Sequence, residues 1–228
     1  MMRRSLRQVC AALLWAALVA TSGGAVAQDA PWRGDYVGRL EAFALLQSLN
    51  ASLLGASSAT LTLDRWCADH NIASPAKIVA ERVRGEDKAP TEEQRRLLGV
   101  GPDETVEHRH VRLRCGARVL SEADNWYVPA RLTPDMNRAL ETTDIAFGRA
   151  VQALRFQRRT LSAKLLWSPL PEDWAKAASA PAPADPLRPP AHVIEHHAVL
   201  VTPDGTPFSE VVETYTGEVL AFPEPPGH

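Results

Sequence analysis

The sequence lacks the short motifs that mark common catalytic sites. It has no Gly-x-Ser-x-Gly nucleophile elbow, no phosphate-binding glycine loop and no His-Glu-x-x-His zinc motif. Serine, histidine and aspartate are present, but their spacing singles out no catalytic triad. Motifs alone therefore predict no reaction.

The sequence also lacks an excess of charge of either sign. Its 228 residues carry 25 basic and 27 acidic side chains, for a formal net charge of −2. Such a chain lacks the basic surface that nucleic-acid binding needs, so no nucleic-acid partner is expected. With 45% hydrophobic and 23% charged residues, the composition is that of one globular domain with a core.

No apolar run is long enough to cross a membrane, yet the first residues have the pattern of an export signal. Residues 1–7 are basic, and the uncharged apolar run 9–20 is shorter than the ~20 residues that a span needs. Ala25-Val26-Ala27 fits the small-x-small cleavage pattern. We interpret residues 1–27 as a signal peptide cleaved after Ala27, rather than an uncleaved anchor. The product is expected to be periplasmic or secreted, with no membrane anchor after cleavage.

Cysteine is scarce. Three occur in the sequence, and cleavage would leave two, Cys67 and Cys115. In an oxidising compartment such a pair predicts a disulfide, and two buried free thiols are the equally weighted alternative. Two cysteines are too few for a metal site by themselves.

Hydrophobic periodicity divides residues 28–228, interpreted as a single domain, into helices and strands. Helices are predicted at 36–54, 62–70, 91–98, from 133, and after a cap-like cluster at 142–149. Strands are predicted at 78–83, 106–115, 118–128, 155–167, 192–202 and 208–220. The Pro- and Ala-rich segment 168–191 is predicted to be a loop. The sum is an α+β fold, a single antiparallel β-sheet with helices packed on one face.

Arg109 is out of place in the predicted hairpin at 106–129. Side chains alternate along a strand, so Arg109 shares a face with the apolar Val111, Leu113 and Cys115. The opposite, solvent-exposed face should take His108, His110, Arg112 and Arg114. A guanidinium cannot lose its charge, so one directed at a core needs a carboxylate from the protein or from a ligand.

Glu213 is out of place in the same way. In the last predicted strand it shares the parity of Val211 and Tyr215. It is either half of an ion pair with Arg109 or a polar group directed at a ligand. Glu210 would take its place if the strand slipped by one residue.

The histidines are weaker candidates for a functional site. His108 and His110 could chelate a metal, but no third ligand is evident and arginines alternate with them, so a solvated face is favoured and no metal is expected. His196 and His197 are adjacent, so on a strand at most one of them can line a site.

The order of several segments resembles chorismate lyase and the related ligand-sensing (UTRA) domains of bacterial transcription regulators. The resemblance covers about residues 58–220. The segments that carry it are Ser58-Ala59-Thr60, His108 to Cys115, Asn125 to Pro129, Asp144 to Arg149, and Asp204 to Pro207 followed by Glu213. It implies a chorismate lyase-like α+β fold.

The resemblance also implies a buried pocket for a small aromatic carboxylate. Arg109 would bind the carboxylate, a backbone N–H at Phe147 would assist, and Glu213 would meet a hydroxyl at the far end of the ring. Enzymes of the family eliminate pyruvate from chorismate to give 4-hydroxybenzoate, without metal or cofactor. This chain departs from them at Asp124, where the lyase has glycine, and at His196-His197, where it has two arginines. Asp124 and His197 are therefore also expected at the ligand.

Three functions follow. The first is an exported chorismate lyase-like protein that binds a small carboxylate in a buried pocket. The second is an active chorismate pyruvate-lyase, a cofactor-independent carbon–oxygen lyase acting on chorismate or a relative. The third is a structural or partner-binding protein in which Arg109 and Glu213 form a core salt bridge. The departures at Asp124 and His197, and the export signal, favour the first.

Overall fold

The fold is a six-stranded antiparallel sheet with strand order β1-β2-β3-β6-β5-β4. The computed structural model describes residues 32–85, 87–176 and 185–224. The signal peptide predicted at 1–27 lies outside the described residues, and the predicted loop at 168–191 is described only in part. The predicted α+β class, with one antiparallel sheet, is confirmed.

The predicted helices and strands are present with small shifts. The helices are α1 (Tyr36–Leu54), α2 (Ala59–Asp69), α3 (Glu92–Leu98), α4 (Pro134–Thr142) and α5 (Phe147–Ala150). The strands are β1 (Ile78–Val83), β2 (Glu107–Cys115), β3 (Arg118–Tyr127), β4 (Gln157–Leu165), β5 (His192–Val201) and β6 (Pro207–Thr216). Short 3-10 turns occupy Pro129–Arg131, Gln152–Leu154 and Gly217–Leu220.

The last strand is shorter than the range 208–220 predicted from the sequence. β6 ends at Thr216, and the chain then turns into the 3-10 helix Gly217–Leu220. The Thr216 side chain accepts a hydrogen bond from the Glu218 backbone N–H, which caps that turn. Val219 and Leu220 are buried by the turn rather than by a strand.

We call the sheet face that bears Arg109, Ala123 and Glu213 the inner face. Helices α1 and α2 pack on it through a shared core that includes Leu46, Leu49, Leu53, Leu63, Trp66, Val111, Leu113 and Val211. Both helices begin at side-chain caps, Asp35 for α1 and Ser58 for α2. Helices α4 and α5 extend this layer through a second cluster that includes Met136, Leu140, Phe147, Phe156 and Phe208.

The outer face is covered in part by the short helix α3. A capping box between Thr91 and Gln94 begins this helix, and Leu98 packs with Trp126 and Val128. His108 on the same face is also buried. It is 6% exposed, its ring lies 4.9 Å from that of Trp126, and its Nδ1 accepts from the backbone N–H of Lys88 at 3.1 Å. The expectation that His108 is solvent-exposed was wrong, because a strand pattern cannot show which other segments cover a face.

A disulfide joins Cys67 of α2 to Cys115 of β2, with their Cα atoms 6.3 Å apart. Both residues are fully buried in the core. The bond ties the helix that begins at Ser58 to the strand that carries Arg109. None of the described helices combines the length and apolar character needed to cross a membrane.

Candidate functional site

A cavity of about 40 Å³ lies between the inner face of the sheet and the first residues of α2 and α5. We call it the Arg109 cavity. Its charged or polar lining comes from Ser57, Ser58, Thr60, Arg109, Asn125, Arg158 and Glu213. Its apolar lining comes from Ala59, Val111, Leu113, Ala123, Phe147, Gly148, Phe156, Leu200 and Val211. Since Ser57 is exposed, the cavity borders solvent at that point.

Arg109 lies in this cavity, as strand parity predicted, and is 1% exposed. Its Nη2 donates to the backbone oxygen of Thr143 at 3.5 Å. Its Nε and Nη1 are buried without a partner among the described residues. Burial, followed by the positive charge of Arg82, lowers the pKa of Arg109 to about 10. A buried cation whose hydrogen bonds are incomplete is well suited to bind an anion.

Glu213 also lines the cavity, but it does not pair with Arg109. Its Oε2 accepts from Nη2 of Arg158 at 2.6 Å and from the hydroxyl of Tyr215 at 3.1 Å. The ion pair proposed between Arg109 and Glu213 is therefore replaced by one between Arg158 and Glu213, whose side chains are 4% and 9% exposed. Burial alone would lower the pKa of Arg158, but the Glu213 charge reverses this and raises it.

Sequence reasoning missed Arg158 because of an irregularity in β4. The pairing of β4 with β5 shifts register between Thr160 and Ser162. Such a bulge reverses the in–out alternation, so residues before and after it do not follow one parity. If parity ran unbroken from Ala163, which pairs with the inner-facing His196, Arg158 would fall on the outer face. No other sequence signal marks Arg158.

Phe147 and Gly148 form another wall of the cavity, at the start of α5. The Phe147 ring stacks on Phe208, with ring centroids 6.4 Å apart and an interplanar angle of 18°. A methyl group added to Gly148 would lie 2.7 Å from the Ser58 Oγ, which is closer than packed atoms approach. Glycine at this position therefore lets α5 lie against the start of α2.

Asp124 is not in the cavity, which corrects the expectation from the family resemblance. It lies opposite His110 in the β2–β3 pair and points to the outer face. Its Oδ1 contacts Nε2 of His108 at 2.9 Å and Nδ1 of His110 at 3.1 Å, and its Oδ2 accepts from Nζ of Lys88 at 2.7 Å. Burial would raise the pKa of Asp124, but the hydrogen bonds from Lys88 and His108 lower it.

His197 is likewise on the outer face, so its expected place at the ligand is also corrected. Its Nε2 contacts Oε1 of Glu210 at 2.7 Å. Its neighbour His196 pairs with Glu213 in the register of β5 and β6 and is fully buried on the inner side. Nε2 of His196 contacts Oδ1 of Asn50 at 2.8 Å. Burial, followed by the Arg158 charge, lowers the pKa of His196.

Within residues 32–85, 87–176 and 185–224, no group of three His, Cys, Asp or Glu side chains is placed to hold a metal ion. Among the described lining residues, the cavity instead combines one cation that forms no ion pair, Arg109, with one buried ion pair between Arg158 and Glu213 and with apolar walls.

Comparisons with known proteins place the chain beside a bacterial relative. It is 60% identical over 196 residues to the uncharacterized protein y4mC of Sinorhizobium fredii (strain NBRC 101917 / NGR234), and the match covers 85% of this chain and 83% of y4mC. No family model matches the sequence.

Several solved structures are similar at low identity. PhnF from Mycobacterium smegmatis shares 16% identity, with a TM-score of 0.44, over 77% of this chain and 71% of that chain. The effector domain of PhnF shares 14%, with a TM-score of 0.43, over 71% of this chain and 90% of that chain. YydK from Bacillus subtilis shares 15%, with a TM-score of 0.39, over 64% of this chain but 61%, less than two thirds, of its own length. At these values the likeness gives no information about what this chain binds.

Proposed function

This chain belongs to the same protein family as y4mC of Sinorhizobium fredii, and we propose that it binds a small carboxylate in the Arg109 cavity. The observation that carries the proposal is the buried guanidinium of Arg109, whose Nε and Nη1 have no partner among the described residues. Leaving buried donors unsatisfied costs about 1–3 kcal/mol, and more for a charged group. A ligand that supplies acceptors recovers that cost.

Charge favours a carboxylate over a neutral ligand. The ionised groups among the described residues that line the cavity are Arg109, Arg158 and Glu213. Because Glu213 pairs with Arg158, Arg109 forms no ion pair among the described residues, although the charge of the exposed Asp144 attracts it. A planar carboxylate matches the fork of a guanidinium and forms strong, charge-assisted hydrogen bonds with it.

Size and apolar walls favour a small ligand with an apolar body. About 40 Å³ holds only a few water molecules or a small anion. Phe147 and Phe156 line the cavity and suit an aromatic ring. A ring-sized ligand would require one of the lining side chains to move. In this proposal Phe147 forms the wall beside the ring, and Glu213 meets a hydroxyl at the end away from Arg109.

Binding is proposed in preference to turnover of chorismate. Chorismate carries two carboxylates, whereas among the described lining residues Arg158 is already paired with Glu213 and Arg109 is the one cation without an ion-pair partner. A second carboxylate would meet the negative charge of Glu213. We expect no 4-hydroxybenzoate above background, measured by absorbance, when the protein is incubated with chorismate.

A thermal-shift assay tests the binding proposal. Benzoate and 4-hydroxybenzoate should raise the melting temperature of the wild type with increasing concentration. Arg109→Met should abolish that shift. Arg112→Met is the matched control, because Arg112 lies on the same strand but bonds Glu122 on the outer face. The proposal fails if no small carboxylate shifts the wild type, or if Arg109→Met responds as the wild type does.

Export is the second part of the proposal. The basic and apolar pattern of residues 1–27 predicts it, and the Cys67–Cys115 disulfide supports it, since such bonds persist in oxidising compartments. Expressed from the full sequence in a bacterium, the protein should be found in the periplasm or medium and begin at Gln28 by mass spectrometry. Deletion of residues 9–20 should retain it in the cytoplasm. An uncleaved wild-type chain in the cytoplasmic fraction would overturn this part.

A further inference from the structure

We propose that Arg158 is a second ligand contact, and that it selects a monoanion with a neutral hydrogen-bond acceptor at the end opposite the carboxylate. The inference rests on the proposed function, because it concerns the same cavity. It goes further by naming the chemistry at the far end of the ligand, which Arg109 cannot determine.

The hydrogen bonding of Arg158 is incomplete. Its side chain is 4% exposed and lines the cavity. Its Nη2 donates to Glu213 at 2.6 Å, but its Nε is buried without a partner among the described residues. A buried guanidinium N–H without an acceptor is costly. The ion pair therefore neutralises the charge of Arg158 and leaves a donor free for a ligand.

Charge at the cavity sets the charge of the ligand. Two guanidinium groups and one carboxylate leave a single positive charge among the described lining residues. A monoanion neutralises that charge. A dianion would leave a net negative charge in a buried site, which costs free energy. The group that meets Arg158 is therefore a neutral acceptor, such as a hydroxyl, ether or carbonyl oxygen.

The two arginines reach the cavity from opposite sides. Arg109 is on β2 and Arg158 is on β4, and β3, β6 and β5 lie between them in the sheet. The middle of the inner face between them presents Ala123, Val211 and Leu200 to the cavity, whereas the polar Asn125 lies opposite Arg109 and Glu213 is bonded to Arg158. A ligand that contacts both arginines therefore has an apolar middle, with its acid at one end and its acceptor at the other.

Four benzoates that differ in the 4-substituent separate the effect of a hydrogen bond to Arg158 from the effect of a second negative charge, on the wild-type protein. 4-Methoxybenzoate offers an acceptor, 4-hydroxybenzoate an acceptor and a donor, and 4-methylbenzoate neither. Terephthalate offers a second negative charge. By titration calorimetry, the methoxy and hydroxy compounds should bind about tenfold or more tightly than the methyl compound, as a hydrogen bond from a charged donor provides. Terephthalate should bind more weakly than 4-methylbenzoate.

A paired substitution assigns the preference to Arg158. Arg158→Met alone would leave the Glu213 carboxylate buried and unpaired, so it is combined with Glu213→Gln. In this double variant the ratio of the dissociation constants of the methyl and methoxy compounds should fall to about one. Arg109→Met, by comparison, should lose binding of both compounds.

The outcomes separate this inference from the proposed function. If none of the four compounds binds the wild type, the Arg109 proposal fails and the Arg158 inference fails with it. If they bind but the methyl compound is as tight as the methoxy, or terephthalate is the tightest, only the inference is overturned. Persistence of the methoxy preference in the double variant also overturns it. If that variant does not fold, the wild-type series alone decides.

Discussion

Arg109 and Arg158 line the same cavity, but Arg158 is paired with a carboxylate and Arg109 is not. Arg158 has a carboxylate 2.6 Å away, whereas Arg109 has a single 3.5 Å contact with a backbone oxygen. A cation that is buried for binding should weaken the folded state when no ligand is present. The two residues therefore predict stability effects of opposite sign.

Arg109→Met should stabilise the protein in the absence of ligand. Methionine is long, flexible and apolar, so it can fill the same space without a buried charge. We expect the free energy of unfolding to rise by about 1–3 kcal/mol, measured by urea denaturation. The same variant should lose its response to benzoates. A loss of stability would mean that Arg109 is held by contacts that outweigh the cost of burying its charge.

Arg158→Met should destabilise the protein by about 3–5 kcal/mol, because it leaves the Glu213 carboxylate buried without its counter-ion. Adding Glu213→Gln should recover most of that loss, since the remaining amide is neutral. Urea denaturation of the single and double variants measures the coupling. Equal stability of the two variants would contradict a buried ion pair.

His196 should make the folded state sensitive to acid. Burial and the Arg158 charge lower its pKa below the ordinary value of 6.5. The unfolded chain therefore takes up a proton at a higher pH than the folded chain does, and stability falls as pH drops below about 6.5, by up to ~1.4 kcal/mol per pH unit until the folded histidine titrates.

Melting temperatures at pH 7.5 and pH 5 measure this effect. The wild type should lose more on acidification than His196→Gln, which keeps a hydrogen-bonding side chain near Asn50. His192→Gln is the control, because that side chain is 48% exposed, and it should lose as much as the wild type. A His196→Gln variant that is as acid-sensitive as the wild type would assign the loss to other groups.

The alternation of side chains along the strands predicted some of the residues that line the cavity and missed others. Arg109 and Glu213 were identified because charged residues on an apolar strand face are unusual, and both line the cavity. Arg158 was hidden by the bulge in β4. Asp124 and His197 were placed at the ligand by resemblance, but parity puts both on the outer face. Strand parity was the better guide wherever the strand was regular.

At the scale of elements, the contact of α5 with the start of α2 controls the shape of the cavity. A Cβ on Gly148 would lie 2.7 Å from the Ser58 Oγ but 3.6 Å from the Ser58 Cβ, which is an ordinary contact. Gly148→Ala should therefore push Phe147 away from the cavity and weaken benzoate binding.

Ser58→Ala removes the clashing oxygen and should partly restore binding to the Gly148→Ala variant. Ser58→Ala alone costs about 1 kcal/mol of stability, because Ser58 is the N-cap of α2. In a double-mutant cycle by urea denaturation, the double variant should be more stable than the sum of the single effects. Simple additivity would show that Gly148 and Ser58 do not constrain each other.

Local chemistry made most elements predictable. The leucine spacing of α1, the Thr91 capping box of α3 and the Asp-Gly turn between β5 and β6 each determine structure over a few residues. The side of the sheet that α3 covers depends instead on contacts such as Leu98 with Trp126, which are distant in sequence. The burial of His108 depends likewise on contacts with the Lys88 backbone and the Trp126 ring, so it could not be predicted from its strand alone.

At the scale of the whole molecule, the two faces of the sheet differ in which cations have incomplete hydrogen bonding. The outer face holds ion pairs and hydrogen-bonded groups within the protein, such as Lys88–Asp124, Arg112–Glu122 and His197–Glu210. The inner face holds the Arg158–Glu213 pair and also Arg109, and both arginines have buried nitrogens without a partner among the described residues. Unsatisfied donors of these two arginines therefore concentrate where the helical layer and the sheet enclose a cavity.

The disulfide fastens that helical layer to the sheet, so its loss should affect both stability and binding. Cys67 and Cys115 are 48 residues apart, and closing a loop of that length stabilises a fold by about 4 kcal/mol in the chain-entropy model. Cys67→Ala with Cys115→Ala should lower the free energy of unfolding by about that amount and weaken benzoate binding, because Ser58 and Arg109 lie on the two elements that the bond connects. Wild type treated with a reductant should unfold at the same urea concentration as the double variant, which itself should not respond to the reductant. Unchanged stability in both would contradict a stabilising role for the bond.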